Sequence, residues 1–150
     1  KLKQFHFKLL HKILPCNLLL FKWKLVTAPL CPNCPVKDDY EHFFVSCRCI
    51  EDLRLRVKNI FCLLKIENVT ISLKDIVIGY KSMYEKYRWI NFIIKVVAFT
   101  IYKGWCISKT KKINYWSLFK YELKWRYNAV TEKKKSNELL LKKFLSLLDE

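Results

Sequence analysis

Apolar positions in this chain recur at helical rather than strand spacing. Leu2, Phe5, Leu9 and Ile13 share one face of a segment from Leu2 to Leu14, and Pro15 stops the helix because it lacks a backbone donor. Asn17 suits the N-cap of a second helix, Leu18 to about Val26, so the two form a helical hairpin. Beyond Cys49, residues Ile50, Leu53, Val57, Ile60, Phe61 and Leu64 trace one helical face, with Arg54, Arg56 and Lys58 off it. The polar and β-branched stretch Asn68 to Ser72 reads as a loop. Ser72 and Asp75 then have capping-box spacing and open a short helix that Gly79 ends. Trp89 to Trp105 is apolar nearly all round, but Lys95 interrupts it and Arg88 and Lys103 bound it. It therefore reads as a central buried helix, not a membrane span.

The pattern continues in Ile113 to Asn128, where Trp116, Phe119, Leu123 and Tyr127 lie on one face, with Lys120 and Lys124 beside them. Tyr121 and Trp125 form a second aromatic edge. Core packing accounts for these rings, and so does a stacking platform for bases flanked by phosphate-binding lysines. Thr131 to Glu150 carries Lys133, Lys134 and Lys135, then the leucine-rich run Glu138 to Leu148, which is either a terminal amphipathic helix or a frayed tail.

Two glycines and four prolines in 150 residues argue against a turn-rich β fold. The expected class is mostly α: a small helical domain with a metal knuckle near its N-terminal end. Residues 1–66 would hold the hairpin, the knuckle and a packing helix, and residues 67–150 a helical region continuous with them as one domain. At 52% apolar content, the core is ample for that. The chain opens at Lys1, already inside an apolar-periodic stretch, as a fragment of a longer polypeptide would.

Charge narrows the partners. The formal net charge is +16, and the last fifty residues are the most basic, with 12 Lys and Arg against 5 Asp and Glu. Such a field concentrates polyanions and speeds encounter with nucleic acid or an anionic membrane. Lysine far outnumbers arginine, which favours neutralising phosphates over bidentate reading of bases. Seven cysteines cannot all pair, and Cys16, Cys62 and Cys106 read as isolated buried thiols. A reducing compartment, nucleus or cytoplasm, is expected.

The densest chemistry lies in CPNCPVKDDYEHFFVSC, from Cys31 to Cys47, with the pattern C-x2-C-x7-H-x4-C. Cys31 and Cys34 flank a turn at Pro32 and Asn33 that lets two thiolates converge on one ion. His42 and Cys47 supply the other half of a tetrahedral shell from a short helical segment, Tyr40 to Cys47, with Phe43 and Phe44 available to pack beneath it. Four soft or borderline ligands, with no carboxylate placed as a fifth, describe a closed structural Zn2+ site. Cys49 is an alternative fourth ligand; Cys47 is preferred because His-x4-Cys closes the shorter loop. His6 and His11 have no cysteine at ligand spacing and read as exposed or core-edge side chains.

The same region carries a resemblance. Leu14, Pro15 and Asn17, the run Phe21 to Trp23, the knuckle Cys31, Pro32, Cys34, and then Glu41, His42, Phe44 and Cys47 resemble the zinc-binding domain that follows the polymerase in LINE-type (non-LTR) retrotransposon reverse transcriptases. Leu73 to Tyr80 and Ile90 to Trp105 are similar to the C-terminal tail of such elements. The chain departs from the family at Cys16 and Asp39, where threonine is usual. The resemblance implies a module downstream of a reverse transcriptase domain of the same polypeptide, holding template RNA or target DNA during target-primed reverse transcription.

No Gly-rich phosphate loop, Ser/His/Asp arrangement or paired-aspartate motif is present, so the chain is not expected to be an enzyme on its own or to take a small-molecule substrate. Lys22, Lys24, Lys37 and Arg48 around the knuckle, with Lys120, Lys124 and Trp125 further on, are the candidate nucleic-acid contacts. Two other roles fit the same residues: a helical module that docks on the polymerase without touching nucleic acid, and a basic helical element lying on a membrane surface, the less expected of the two.

Overall fold

In the computed structural model the periodic stretches are helices. Residues 1–66, 69, 71–81, 84, 87–108, 112–131 and 138–148 are described; Asn68 and the lysine run Lys133, Lys134, Lys135 lie outside them. The α-helices are α1 (Leu2–Leu10), α2 (Asn17–Lys22), α3 (Glu51–Leu63), α4 (Leu73–Val77), α5 (Arg88–Ser108), α6 (Tyr115–Thr131) and α7 (Glu138–Ser146). A π-helical turn, His42–Ser46, and a 3-10 turn, Arg48–Ile50, stand between α2 and α3. Among the described residues there is no strand, only an isolated antiparallel bridge between Leu30 and Lys37.

α5 is the centre. Its Ile93, Ile94, Val96, Val97 and Ala98 are fully buried, and α1, α4 and α6 pack around it. The helix is long and apolar enough to cross a membrane by length and composition; here that apolar surface is the middle of the core. Phe5 of α1 meets Phe99 edge-on at 5.5 Å, and Phe61 of α3 meets both Trp89 and, from α7, Phe144. One cluster of buried side chains runs from Phe5 to Leu148, drawing on both the knuckle region and the C-terminal helices. The leucine-rich run is thus an amphipathic helix that buries Phe144 and Leu148. His6 sits at the core edge, where Nε2 hydrogen-bonds the Val77 carbonyl at 3.1 Å and joins α1 to α4. Burial, and then the Lys95 charge, hold its pKa below the usual value.

Local chemistry explains the boundaries. Ser72 and Asp75 form the expected capping box, and Gly79 beyond α4 takes φ 104°, a conformation that favours glycine. Asn114 caps α6 by accepting the Ser117 N–H at 3.0 Å. α1 is shorter than its periodicity implies: it ends at Leu10, and Lys12 turns left-handed at φ 54°. That rotation exposes Ile13 and buries Leu14 in its place. α2 starts at Asn17 rather than after it, and it stops at Lys22, with Lys24 again left-handed at φ 59°. Of the three cysteines read as buried, only Cys16 is. Cys62 and Cys106 are exposed, because each lies on the outward side of a helix whose apolar stripe is complete without it.

Candidate metal centre

The first half of the site is a knuckle held by main-chain hydrogen bonds. The Cys31 N–H donates to the Val36 carbonyl at 2.9 Å, the Val36 N–H to Cys34 at 2.7 Å, and the Asp38 N–H to Pro29 at 2.9 Å. Asp38 then locks the knuckle to α2. Its carboxylate accepts the Asn17 N–H at 2.9 Å and its carbonyl accepts the Leu18 N–H at 3.2 Å, so the side-chain cap of α2 comes from 21 residues downstream of Asn17. Burial pushes the Asp38 carboxyl up, opposed by the Asn17 hydrogen bond and by His42.

The second half rests on the π turn. Ligands five residues apart on an α-helix point about 140° away from each other, whereas the wider i to i+5 turn brings them to one side. The Cys47 N–H closes that turn on the His42 carbonyl at 2.9 Å, and the Asp39 carboxylate caps its start by accepting the His42 N–H at 2.9 Å. Phe43 and Phe44 are buried beneath it as expected. Phe44 contacts Phe5, Tyr40 and Phe43, and Phe43 packs edge-on against Trp105 of α5 at 5.5 Å. Arg54 of α3 donates to the Val45 carbonyl and fixes the turn from the other side.

These two halves bring Cys31, Cys34, His42 and Cys47 together. Their ligand atoms all lie within 4.8 Å of one another and all four residues are buried, so the cluster can hold a metal ion. Cys31 and Cys47 sulfurs are 3.8 Å apart and those of Cys34 and Cys47 are 3.9 Å apart. These are free thiols, since a disulfide needs about 2.05 Å. His42 is 7% exposed; its Nδ1 lies 3.3 Å from the Ser46 hydroxyl, while Nε2 is buried with no hydrogen-bond partner. A buried nitrogen without a partner is costly unless something else occupies its lone pair, and a cation among three sulfurs supplies that. Burial pushes the Cys31 and Cys47 thiols up. Without a metal they are neutral, and a bound cation would displace their protons. Cys49 is exposed and outside this group. No protein-family model, characterised protein or solved structure matches the chain.

Tyr115, at the start of α6, is a neighbour that spacing did not reveal. Its phenol is pushed up to about 12, first by burial and then by Cys49, Cys47 and Cys31. The ring fits only because Gly104 of α5 has no side chain: a Cβ there would overlap the Tyr115 ring. Gly104→Ala is therefore expected to destabilise the fold by about 1–3 kcal/mol through overpacking. Tyr115→Leu in the same chain should recover part of that loss in a urea melt.

The basic candidates Lys22, Lys24, Lys37 and Arg48 are all exposed, at the end of α2, just beyond it, in the bridge and in the 3-10 turn. Lys120 is half-buried and Lys124 exposed on α6. Trp125 is 56% exposed and Tyr121 62%, so the core-packing alternative does not hold for these two rings, while Phe119 and Leu123 of the same helix are fully buried. Cations back both rings. Arg126 lies 5.5 Å from the Trp125 centroid, and the Lys103 ammonium 5.8 Å from that of Tyr121. Asp39 and Ser46 had sequence signals, lying three residues before and four after His42. Asp38, Arg54 and Tyr115 act across long separations and had none.

Proposed function

We propose that this chain is a zinc-stabilised nucleic-acid-binding module of the kind that follows the polymerase in LINE-type retrotransposon reverse transcriptases, gripping template RNA or target DNA while the catalytic domain works. The observation that carries the reading is the buried Cys31, Cys34, His42, Cys47 cluster. Zinc is the metal it favours: a tetrahedral ion with bonds of about 2.3 Å to sulfur sets sulfurs about 3.8 Å apart, as found here, and three thiolates with one imidazole form a closed structural set. Supporting the nucleic-acid part are the charge of +16, the exposed Lys22, Lys24, Lys37 and Arg48 about the knuckle, and the outward rings of Tyr121 and Trp125 beside Lys120 and Lys124.

Binding through phosphate charge makes a specific prediction. Affinity for RNA or single-stranded DNA should fall linearly on a log-log plot against salt, with a slope of about −0.7 per phosphate contacted. Neutralising Lys22, Lys24 and Arg48 together flattens the slope and leaves thermal stability nearly unchanged, because exposed basic side chains add little to folding. Trp125→Ala costs about 1–3 kcal/mol of binding at every salt concentration and leaves the slope alone. A folded, metal-loaded sample that binds no nucleic acid overturns the reading.

One further observation favours a second role for the knuckle side. Phe21, Trp23, Leu25, Leu30 and Val36 are large apolar residues exposed among its lysines. A module docked there on the polymerase domain would keep its partner in the presence of polyphosphate competitors, whereas a phosphate-driven grip would be lost.

A further inference from the structure

A cavity of about 330 Å³ opens where α3, α6 and the end of α7 meet, lined by no residue of the metal cluster. Its floor is apolar: Ile60 of α3 and Leu148, just past α7, are buried there. Its walls are not. Trp116 and Lys120 stand one turn apart on α6, and Arg56 and Asn59 face them from α3. The Arg56 guanidinium lies over the Trp116 ring, 5.5 Å from its centroid, and Phe119 packs on the indole with ring centroids 5.7 Å apart. Both hydrogen bonds from Arg56 to Asp52 leave from Nε, so its terminal amino groups can donate to an anion. The Asp52 side chain is 64% exposed, and water screens its charge.

We propose that this cavity takes one nucleotide of a single strand, its base against Trp116 on the apolar floor and its phosphate on Arg56 and Lys120. The inference deepens the nucleic-acid reading above and rests on it. Each wall matches a part of that ligand. Indole and guanidinium are both flat groups on which bases stack whatever their identity. Asn59 carries donors and an acceptor for the edge of the base, and two cations on the rim offset the charge of a phosphate. Size sets the number: ligand cavities run to about 300–1,000 Å³, so this one, at the lower end, admits one nucleotide rather than two. The apolar floor favours a base with its phosphate over inorganic phosphate or a run of acidic side chains, which bring no flat apolar part to bury. A strand also has a path onward, because Lys124 stands exposed one turn beyond Lys120 on α6.

The test uses the full metal-loaded chain and a labelled single-stranded oligonucleotide of about twelve thymidines carrying one 5-iodouracil. Affinity is measured by fluorescence anisotropy across a salt series, and the photo-cross-link is mapped by peptide mass spectrometry. The expected cross-link falls on Trp116. Asn59→Phe, which fills the cavity from an exposed position and changes no charge, should weaken binding at least about fivefold at every salt concentration and leave the slope and the melting temperature unchanged. Arg56→Gln should make the slope shallower by about 0.7, the share of one phosphate contact. The parent cross-link and the Arg56→Gln slope decide the point even if Asn59→Phe unfolds. A parent chain that binds no strand overturns the nucleic-acid reading and this proposal with it. A parent that binds, with cross-links confined to Tyr121 and Trp125 and with Asn59→Phe binding equally well, overturns the cavity alone. Thymidine 5′-monophosphate binding as tightly as the strand also overturns it, because the occupant would then be a free nucleotide.

Discussion

Stripping the metal is expected to unfold the N-terminal third of the chain while the helices around α5 persist. Structural zinc contributes on the order of 10 kcal/mol to small modules, and here the ligands are what give the knuckle and the π turn a common purpose. The Leu30–Lys37 bridge and the caps by Asp38 and Asp39 are too few to hold that segment alone. The core of α5 with α6 depends on Ile93, Ile94, Val97, Phe119 and Leu123, all fully buried on helices outside the knuckle. Elemental analysis should therefore find about one zinc per chain, and amide hydrogen exchange in chelator should rise across residues 14–47 far more than across α5. Cys47→Ser should abolish tight binding, as it removes the sulfur that faces both Cys31 and Cys34, whereas Cys49→Ser should leave binding intact. A sample without metal and an unchanged melt in chelator would falsify the centre.

How much of this was legible beforehand depends on the range over which each feature acts. The four-residue cluster was readable because C-x2-C and His-x4-Cys are local patterns, and the structure brings Cys47, not Cys49, together with Cys31, Cys34 and His42. The helices were readable because their apolar stripes repeat within a few residues, and the Ser72 capping box because it spans only four. Periodicity failed where a turn broke the register. It extended α1 to Leu14 and so exchanged the buried Leu14 for the exposed Ile13, since nothing in the spacing announces a left-handed lysine at position 12. Asp38 capping α2, and Tyr115 seated on Gly104, join residues that are neighbours only once the chain has folded. The cysteines on α3 and α5 misled for another reason. Cysteine is usually buried, and that tendency outweighed the positions of Cys62 and Cys106 on polar helix faces.

The second large effect is expected at Glu122, the acidic residue of α6 that is 4% exposed. Oε1 accepts from Lys103 of α5, and Oε2 accepts from Arg126 one turn along at 3.0 Å. The two cations are not equivalent. Lys103 has a side chain 37% exposed and can return to water, so its pairing contributes little. Arg126 is 10% exposed, lies 4.4 Å over the Phe99 ring, and has an Nε already without a partner, so losing the carboxylate leaves a charge that cannot be hydrated. Glu122→Leu should thus cost about 3–5 kcal/mol, the usual penalty for breaking a buried pair from one side. Adding Arg126→Met should restore most of it, because an apolar pair of similar volume removes the stranded charge along with its partner. Urea melts of the two variants decide the point: equal losses in the single and double replacements would mean that packing, not charge, sets the cost. The same pair of variants also separates stability from binding, since Arg126 backs the exposed ring of Trp125. The double variant, refolded to near parental stability, should still bind single-stranded nucleic acid more weakly than the parent, with the stacking face intact in area but without the cation behind it.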